Sequence, residues 1–297
     1  FGTAPKFPNA PILDALLVRT DPEALAAALT TLEAMARGGI HDQVGGGFHR
    51  YAVDEAWEVP HFEKMLYDNA LLLGSYVRGW RRAVPGAAGE QRELFERVIT
   101  GIVDWLERDM LLPGGAFAAS LAADSLDAAG ELTEGAYYLW SPALLDEALL
   151  GNSLFAQGVF HVTANGNMPF GHGAPTDGSG LSTLQFHGLL DPDRIRRVLD
   201  TLRQARTQRP KPARDDKVVT AWNGWLIDSL TSAAMTLGRP HWFELARQAA
   251  EYLWQKHWQD GGLVRSSLDG VLGPAGVTSD YAALASGFAR LACASGD

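Results

Sequence analysis

The chain has 297 residues, long enough for one or two domains with a large apolar core. Its 46% hydrophobic and 20% charged residues exclude a disordered tail, a coiled coil and a fibre. Lys+Arg 25 against Asp+Glu 35 leaves a net charge of -10, which repels phosphate backbones and argues against nucleic acid and anionic membranes as partners. With one cysteine, Cys293, neither an intrachain disulfide nor a CxxC centre can form, and that cysteine reads as a small buried hydrophobe. No apolar run approaches the roughly 20 residues of a membrane span and no signal peptide opens the chain, so the expectation is a cytoplasmic protein. FGTAPKFPN at the start and ASGD at the end read as cut ends of a longer protein.

In chain order, a short helix is expected over 9–18 and a longer one over 22–36, where Leu25, Leu29, Leu32 and Met35 form a 3.6-period stripe. Asp21 supplies an N-cap and Pro22 a first helical residue; Ser141-Pro142 and Asp191-Pro192 repeat this signature. Further helices are predicted at 61–82, 91–110, 219–237, 241–257 and 279–294, with Gly151 and Gly238 as C-terminal caps. Short connections alternate with long Gly-Gly loops at 46–59, 114–125 and 261–279, each a turn, an extended run and a return, and EGAYYLWS at 134–141 reads as a further strand. Helix, long hairpin, helix, short loop, repeated, closes naturally as a toroid of antiparallel helix pairs with the β-hairpin loops at one end. An open solenoid would not need such hairpins.

The densest polar constellation is His49, Arg50, Tyr51, Asp54, Glu55, Trp57, Glu58, His61, Glu63, Lys64, Asp68 and Asn69. On a helix from 61, Asp68 and Asn69 fall on stripes that become wholly apolar further along, as an inner helix opening onto a cup requires. The competing reading is a structural network that pairs buried polar groups. A metal site is not expected: no HExxH or paired-Cys spacing exists, and His61 and Glu63 would stand about 200° apart on a helix. A second group is Asp215, Asp216, Lys217, Trp222 and Asn223. A third is Thr278, Ser279, Asp280 and Tyr281, where Thr278 or Ser279 can cap a helix and Asp280 favours its positive end. Glu134 opens the aromatic run, in which Trp140 is a stacking platform or core.

Carboxylates around an aromatic-lined cup suit work on sugars. A glycosidase needs one carboxyl as acid and another as base or nucleophile, whereas an epimerase or isomerase wants a histidine base, for which His49 and His61 are the local candidates. The assignment is catalytic Glu63, Asp68, His61 and Asp280. The substrate-binding set is His49, Arg50, Trp57, Lys64, Asn69, Glu134, Asp215, Lys217, Trp222, Asn223 and Tyr281, with no metal and no cofactor.

FGTAPKFPN at 1–9, MARGGIHDQVGGGFHRYAVDEAWEVPHFEKMLYDNALLL at 35–73, EGAYYLWS at 134–141, DDKVVTAWNGWLI at 215–227 and SDYAAL at 279–284 resemble the thioredoxin-domain-containing family of bacterial YyaL and its animal spermatogenesis-associated relatives. The resemblance implies an all-α (α/α)6 toroid like those of six-hairpin glycosidases and N-acylglucosamine 2-epimerases, preceded by a thioredoxin-like domain. It implies that 1–297 is a single barrel domain, with about nine of twelve helices and without that redox domain. It brings a fold and no catalytic residue. The expected function is therefore a carbohydrate-active barrel taking a small-molecule or sugar ligand. The alternative is a non-catalytic binding or scaffold domain beside the thioredoxin-like domain of the full-length protein.

Overall fold

The structure is a computed structural model that describes residues 3–83, 89–168, 180–188 and 191–296. The helices are α1 (Ala10–Leu17), α2 (Pro22–Arg37), α3 (Leu66–Arg82), α4 (Gly89–Trp105), α5 (Pro142–Leu149), α6 (Ser153–Phe160), α7 (Pro192–Arg206), α8 (Thr220–Leu237), α9 (Pro240–Lys256) and α10 (Thr278–Ser295). The strands are two or three residues long and serve the loops. The three Xaa-Pro starts behave as local chemistry dictates: Asp21 Oδ1 accepts Glu23 N–H at 3.1 Å, Ser141 Oγ accepts Leu144 N–H at 3.2 Å and Asp191 Oδ1 accepts Arg194 N–H at 2.9 Å. Gly238 ends α8 at φ 62°, a left-handed cap.

Five local expectations are corrected. Cys293, expected as a small buried hydrophobe, is exposed. The helix predicted at 61 begins at Leu66, because Pro60–His61 is taken into a strand against Tyr51–Ala52 and Lys64–Met65 is extended too. The strand expected at 134–141 stops at Glu134, since Gly135 at φ 78° turns the chain out of the hairpin that pairs Asp124–Leu126 with Leu132–Glu134. The C-cap of α5 is Leu150, at a positive φ of 47°, and not Gly151. Val277, not Ser279, stands at the N-cap of α10, and neither Thr278 nor Ser279 caps it by side chain.

The chain divides into two compact units. The first comprises Phe1–Pro8, Thr30–Lys64 and Ala122–Ala213. In it α5 packs on α6 and α7, and hairpin loops carry most of the polar chemistry. The second comprises Asn9–Leu29, Met65–Leu121 and Arg214–Asp297. There α8 is the central element, packed against α3, α9 and α10, and it is buried almost all round, from Thr220 to Ala234. The approach of α10 is set by glycine. A Cβ at Gly224 would stand 2.7 Å from the Ala283 carbonyl carbon, and one at Gly287 would stand 2.6 Å from the Gly224 oxygen. Gly287→Val is therefore expected to lower stability by about 1–3 kcal/mol through overpacking. A urea midpoint unchanged from the parent would contradict this contact.

The second unit also holds a buried neutral histidine. Thr220 Oγ1 donates to Val264 O at 2.6 Å, so it accepts the proton of His257 Nδ1 at 2.7 Å; His257 Nε2 then accepts from Ser267 Oγ at 2.9 Å. Burial pushes the His257 pKa down to about 4, against the opposing pull of Asp280. Between pH 6.5 and about 4 the unfolded chain takes up this proton and the folded one does not, so stability present above 6.5 is lost as pH falls through that window. The loss reaches about 3 kcal/mol at its lower edge. Denaturant midpoints measured across this range should fall less steeply for His257→Gln than for the parent; parallel curves would show that His257 is not kept neutral.

Candidate functional site

The site-forming segment of the first unit is the short extended run after Pro60. Its side chains alternate. Phe62 and Lys64 point inward and are each 1% exposed, while His61 and Glu63 lie half-buried. The inward residues anchor the run. Lys64 Nζ donates to Asp42 Oδ2 at 2.8 Å and to Gly46 O at 2.7 Å. Arg206, arriving from the end of α7, holds the same carboxylate in a bidentate grip at 2.8 and 3.0 Å. Asp42 Oδ1 also accepts the Val44 and Gly45 N–H groups. Any Cβ at Gly45 would strike the Arg206 guanidinium, which explains the glycine there. Burial alone would raise the Asp42 carboxyl, but Arg206 and Lys64 outweigh it and hold the group well below the usual carboxylate range.

His49 belongs to this interior. Its Nδ1 donates to Phe62 O at 2.9 Å, and its ring meets Phe62 and Tyr138 edge-on, with centroids 5.1 and 4.7 Å away. Burial, reinforced by the Lys64 cation, pushes its pKa well below the ordinary value, so the imidazole is neutral. Lys64 and Arg206 also lie over Tyr138, at 5.0 and 5.5 Å from its centroid. Of this network, Asp42, Tyr138 and Arg206 were not named as site residues from the sequence. An aspartate just before the Gly45-Gly46-Gly47 turn was the one local signal for Asp42; nothing local marks Arg206.

The outward residues build a different arrangement. Glu134, brought in at the end of its hairpin, accepts the His61 Nδ1 proton through Oε1 at 2.6 Å and the Phe62 N–H through the same oxygen at 3.2 Å. Gly135 can follow at once because it has no Cβ; one there would lie 2.5 Å from the Phe62 ring. With Nδ1 committed to Glu134, the other ring nitrogen of His61, Nε2, lies 3.9 Å from Glu63 Oε2. Arg50 Nη1 holds that same Oε2 at 2.9 Å. The His61 ring is further fixed by stacking on Tyr51, at 5.0 Å and 23°. Because 61–63 is extended, the helical argument that separated His61 from Glu63 does not apply: residues two apart on a strand share a face.

Among the sequence-predicted site residues, the fold thus gathers Arg50, His61, Glu63 and Glu134 into one half-exposed group, and places His49 and Lys64 behind it in the buried network. Trp57 is 5% exposed at φ 68°, with Lys6 Nζ over its ring at 4.6 Å. In the second unit, Asn69 is buried and donates to Met65 O at 3.0 Å, and Asp68 is half-buried in the first turn of α3. Asn223 is buried and clasps Phe117, accepting its N–H at 2.9 Å and donating to its carbonyl at 3.1 Å. Trp222 packs on Tyr67 with centroids 5.0 Å apart. Asp280 is fully buried; it accepts Val277 N–H at 2.9 Å and Ala221 N–H at 3.1 Å, tying α10 to α8. Tyr281 receives Leu263 N–H at 2.9 Å, and Asp215 pairs with Lys217 at the surface, at 3.2 Å. Among the described residues no group of three His, Cys, Asp or Glu is spaced to hold a metal ion, and no helix is long and apolar enough to cross a membrane.

No family model matches the chain. It is 33% identical over 305 residues to human spermatogenesis-associated protein 20, an alignment covering 91% of this chain and 38% of that protein. The chain is similar to spermatogenesis-associated protein 20 along most of its length. A Caenorhabditis elegans protein named as uncharacterized is 31% identical over 298 residues, covering 90% of this chain and 40% of the relative. The chain therefore spans about four-tenths of the length of the curated relatives it matches. Among solved structures, unsaturated glucuronyl hydrolase from Bacillus sp. GL1 superposes with a TM-score of 0.50 at 11% identity, over 95% of this chain and 52% of that one. The fold is all-α, of the (α/α)6-barrel class to which that hydrolase belongs. At that identity the likeness concerns fold and not chemistry.

Proposed function

We propose that this chain is a carbohydrate-active barrel domain, glycosidase- or sugar-epimerase-like, whose reacting groups are His61, Glu63 and Glu134. The observation that carries the reading is the 2.6 Å His61–Glu134 pair, which presents Nε2 beside the Arg50-held Glu63 carboxylate at 3.9 Å. A carboxylate on Nδ1 fixes the tautomer and ring orientation of a histidine and strengthens Nε2 as a base, while a second carboxyl group beside it can exchange a proton with a hydroxyl or a glycosidic oxygen. Arg50 keeps Glu63 in place, and all four side chains are partly exposed, so a hydroxyl group can reach them from solvent. The test is turnover and binding across a panel of glycans and sugar phosphates with the purified protein. Product formation that disappears in Glu63→Gln and His61→Asn supports the reading. Absence of both binding and turnover across the panel overturns it.

A second reading is favoured by the burial of His49, Lys64, Asn69, Asn223 and Asp280, each held by main chain or by a neighbouring charge. Under it the domain is a non-catalytic scaffold or binding module that accompanies a thioredoxin-like domain in the full-length protein. Glu63→Gln would then leave any cellular phenotype of the full-length protein unchanged.

A further inference from the structure

Two exposed histidines at the end of α6 take no part in the chemistry above. Residues 185–187 run alongside the last turn of this helix, where Gln185 N–H donates to Phe160 O at 3.1 Å and His187 N–H donates to Val159 O at 3.0 Å. These are carbonyls that a helix end leaves without intrahelical partners. Beneath them Phe160 and Phe186 are buried, with ring centroids 6.2 Å apart. His161 follows as the C-cap of α6 at φ 54°, a left-handed position usually given to glycine or asparagine. The main chain thus fixes both backbone positions. The imidazoles of His161 and His187 stand side by side in solvent, with centroids 5.1 Å apart and planes at 42°.

Spacing, orientation and local charge all suit this pair to a metal ion. An imidazole bound to a divalent ion has its ring centre about 3.2 Å from the metal, so two of them at a near-tetrahedral angle stand about 5 Å apart. The observed 5.1 Å matches that spacing. His187 Nε2 faces Gln185 Oε1 at 3.4 Å, which leaves Nδ1 open to an ion, and Gln185 itself is only 8% exposed. A buried amide oxygen on the far nitrogen is the kind of partner that orients a metal-binding histidine. The C-terminal end of α6 adds partial negative charge, which favours a cation. Imidazole nitrogens select late first-row divalent ions over magnesium and calcium, which take oxygen ligands. We propose that His161 and His187 form a bidentate surface site for a divalent copper, nickel or zinc ion, with water completing its coordination. The site is independent of the sugar reading and would clip residues 185–187 to the end of α6.

The test is titration of the full chain, free of any affinity tag, with copper(II) chloride, followed by calorimetry and by electron paramagnetic resonance. Copper is the probe because it binds nitrogen sites most tightly among these ions. The parent should take up one tightly bound ion whose spectrum shows two imidazole nitrogens. His161→Asn and His187→Gln should each weaken that ion at least about tenfold and reduce the spectrum to one nitrogen. Asparagine tolerates the left-handed backbone at 161, so that variant keeps its fold. Without metal, all three proteins should unfold at the same temperature; with copper, only the parent should gain thermal stability. Equal copper binding in the parent and both variants would place the ion on other histidines and overturn the site. A loss in one variant alone, or no tight binding by the parent, would overturn it as well.

Discussion

Asp42→Ala is expected to destabilise the protein by about 3–5 kcal/mol, because it strands two buried cations. Lys64 and Arg206 are 1% and 4% exposed by side chain, and both donate to the Asp42 carboxylate. The Val44 and Gly45 N–H groups lose their acceptor in the same step. Since Lys64 adjoins Glu63 on the extended run, the damage passes into the outward-facing group as well. Urea denaturation followed by tryptophan fluorescence reads the loss directly, and a change below 1 kcal/mol would show that the two cations do not depend on this carboxylate. Asp42→Leu combined with Lys64→Met and Arg206→Met should recover most of the stability, since replacing a whole buried ionic group by apolar residues is often neutral, whereas removing one member is not. The sign of the pH dependence follows from the lowered Asp42 pKa. Its contribution is fully present above the ordinary carboxylate range and is lost only as pH falls well below it, a lower window than that of His257.

Under the proposed glycan chemistry, His61→Asn is expected to lower kcat/KM by about 10²–10⁴-fold, the range typical of removing a general acid or base. Stability should move by only about 1 kcal/mol, the size of one lost hydrogen bond, because the imidazole bonds Glu134 and stacks on Tyr51 while the local strand is held by Phe62 and Lys64. Glu134→Gln tests the orienting role. It preserves shape but can present an amide N–H to Nδ1, favouring the wrong tautomer. A fall in kcat with little change in KM would match that role. Activity within threefold of the parent in His61→Asn would place the chemistry elsewhere in the molecule.

The amount of this that could be read in advance divides by range of interaction. The helices at Asp21-Pro22, Ser141-Pro142 and Asp191-Pro192 were legible because an N-cap and a proline act on their own few residues. The Gly-Gly hairpins were legible for the same reason: Gly46, Gly47, Gly114, Gly115 and Gly261 all take positive φ that other side chains rarely adopt. The helix start was misplaced by five residues because the apolar periodicity through Phe62 and Met65 suits a helix as well as an alternating strand, and only the pairing with Tyr51–Ala52 decides between them. Arg50, His61, Glu63 and Glu134 were all named as candidates. Nothing local separated them from Lys64 or His49, which lie in the same stretch and point the other way.

The sequence by itself determined a helical chain with glycine-turned hairpin loops, a negative net charge and a polar constellation between 49 and 69, because composition, capping and turn chemistry act over a few residues. Only the tertiary structure decided which polar side chains are buried in the ionic network and which stay partly exposed. That division depends on partners far away in the chain: Glu134 is 73 residues from His61, and Arg206 is 164 from Asp42. A carboxylate acquires its role from the charge it meets and the water it loses, and both are fixed when distant segments come together.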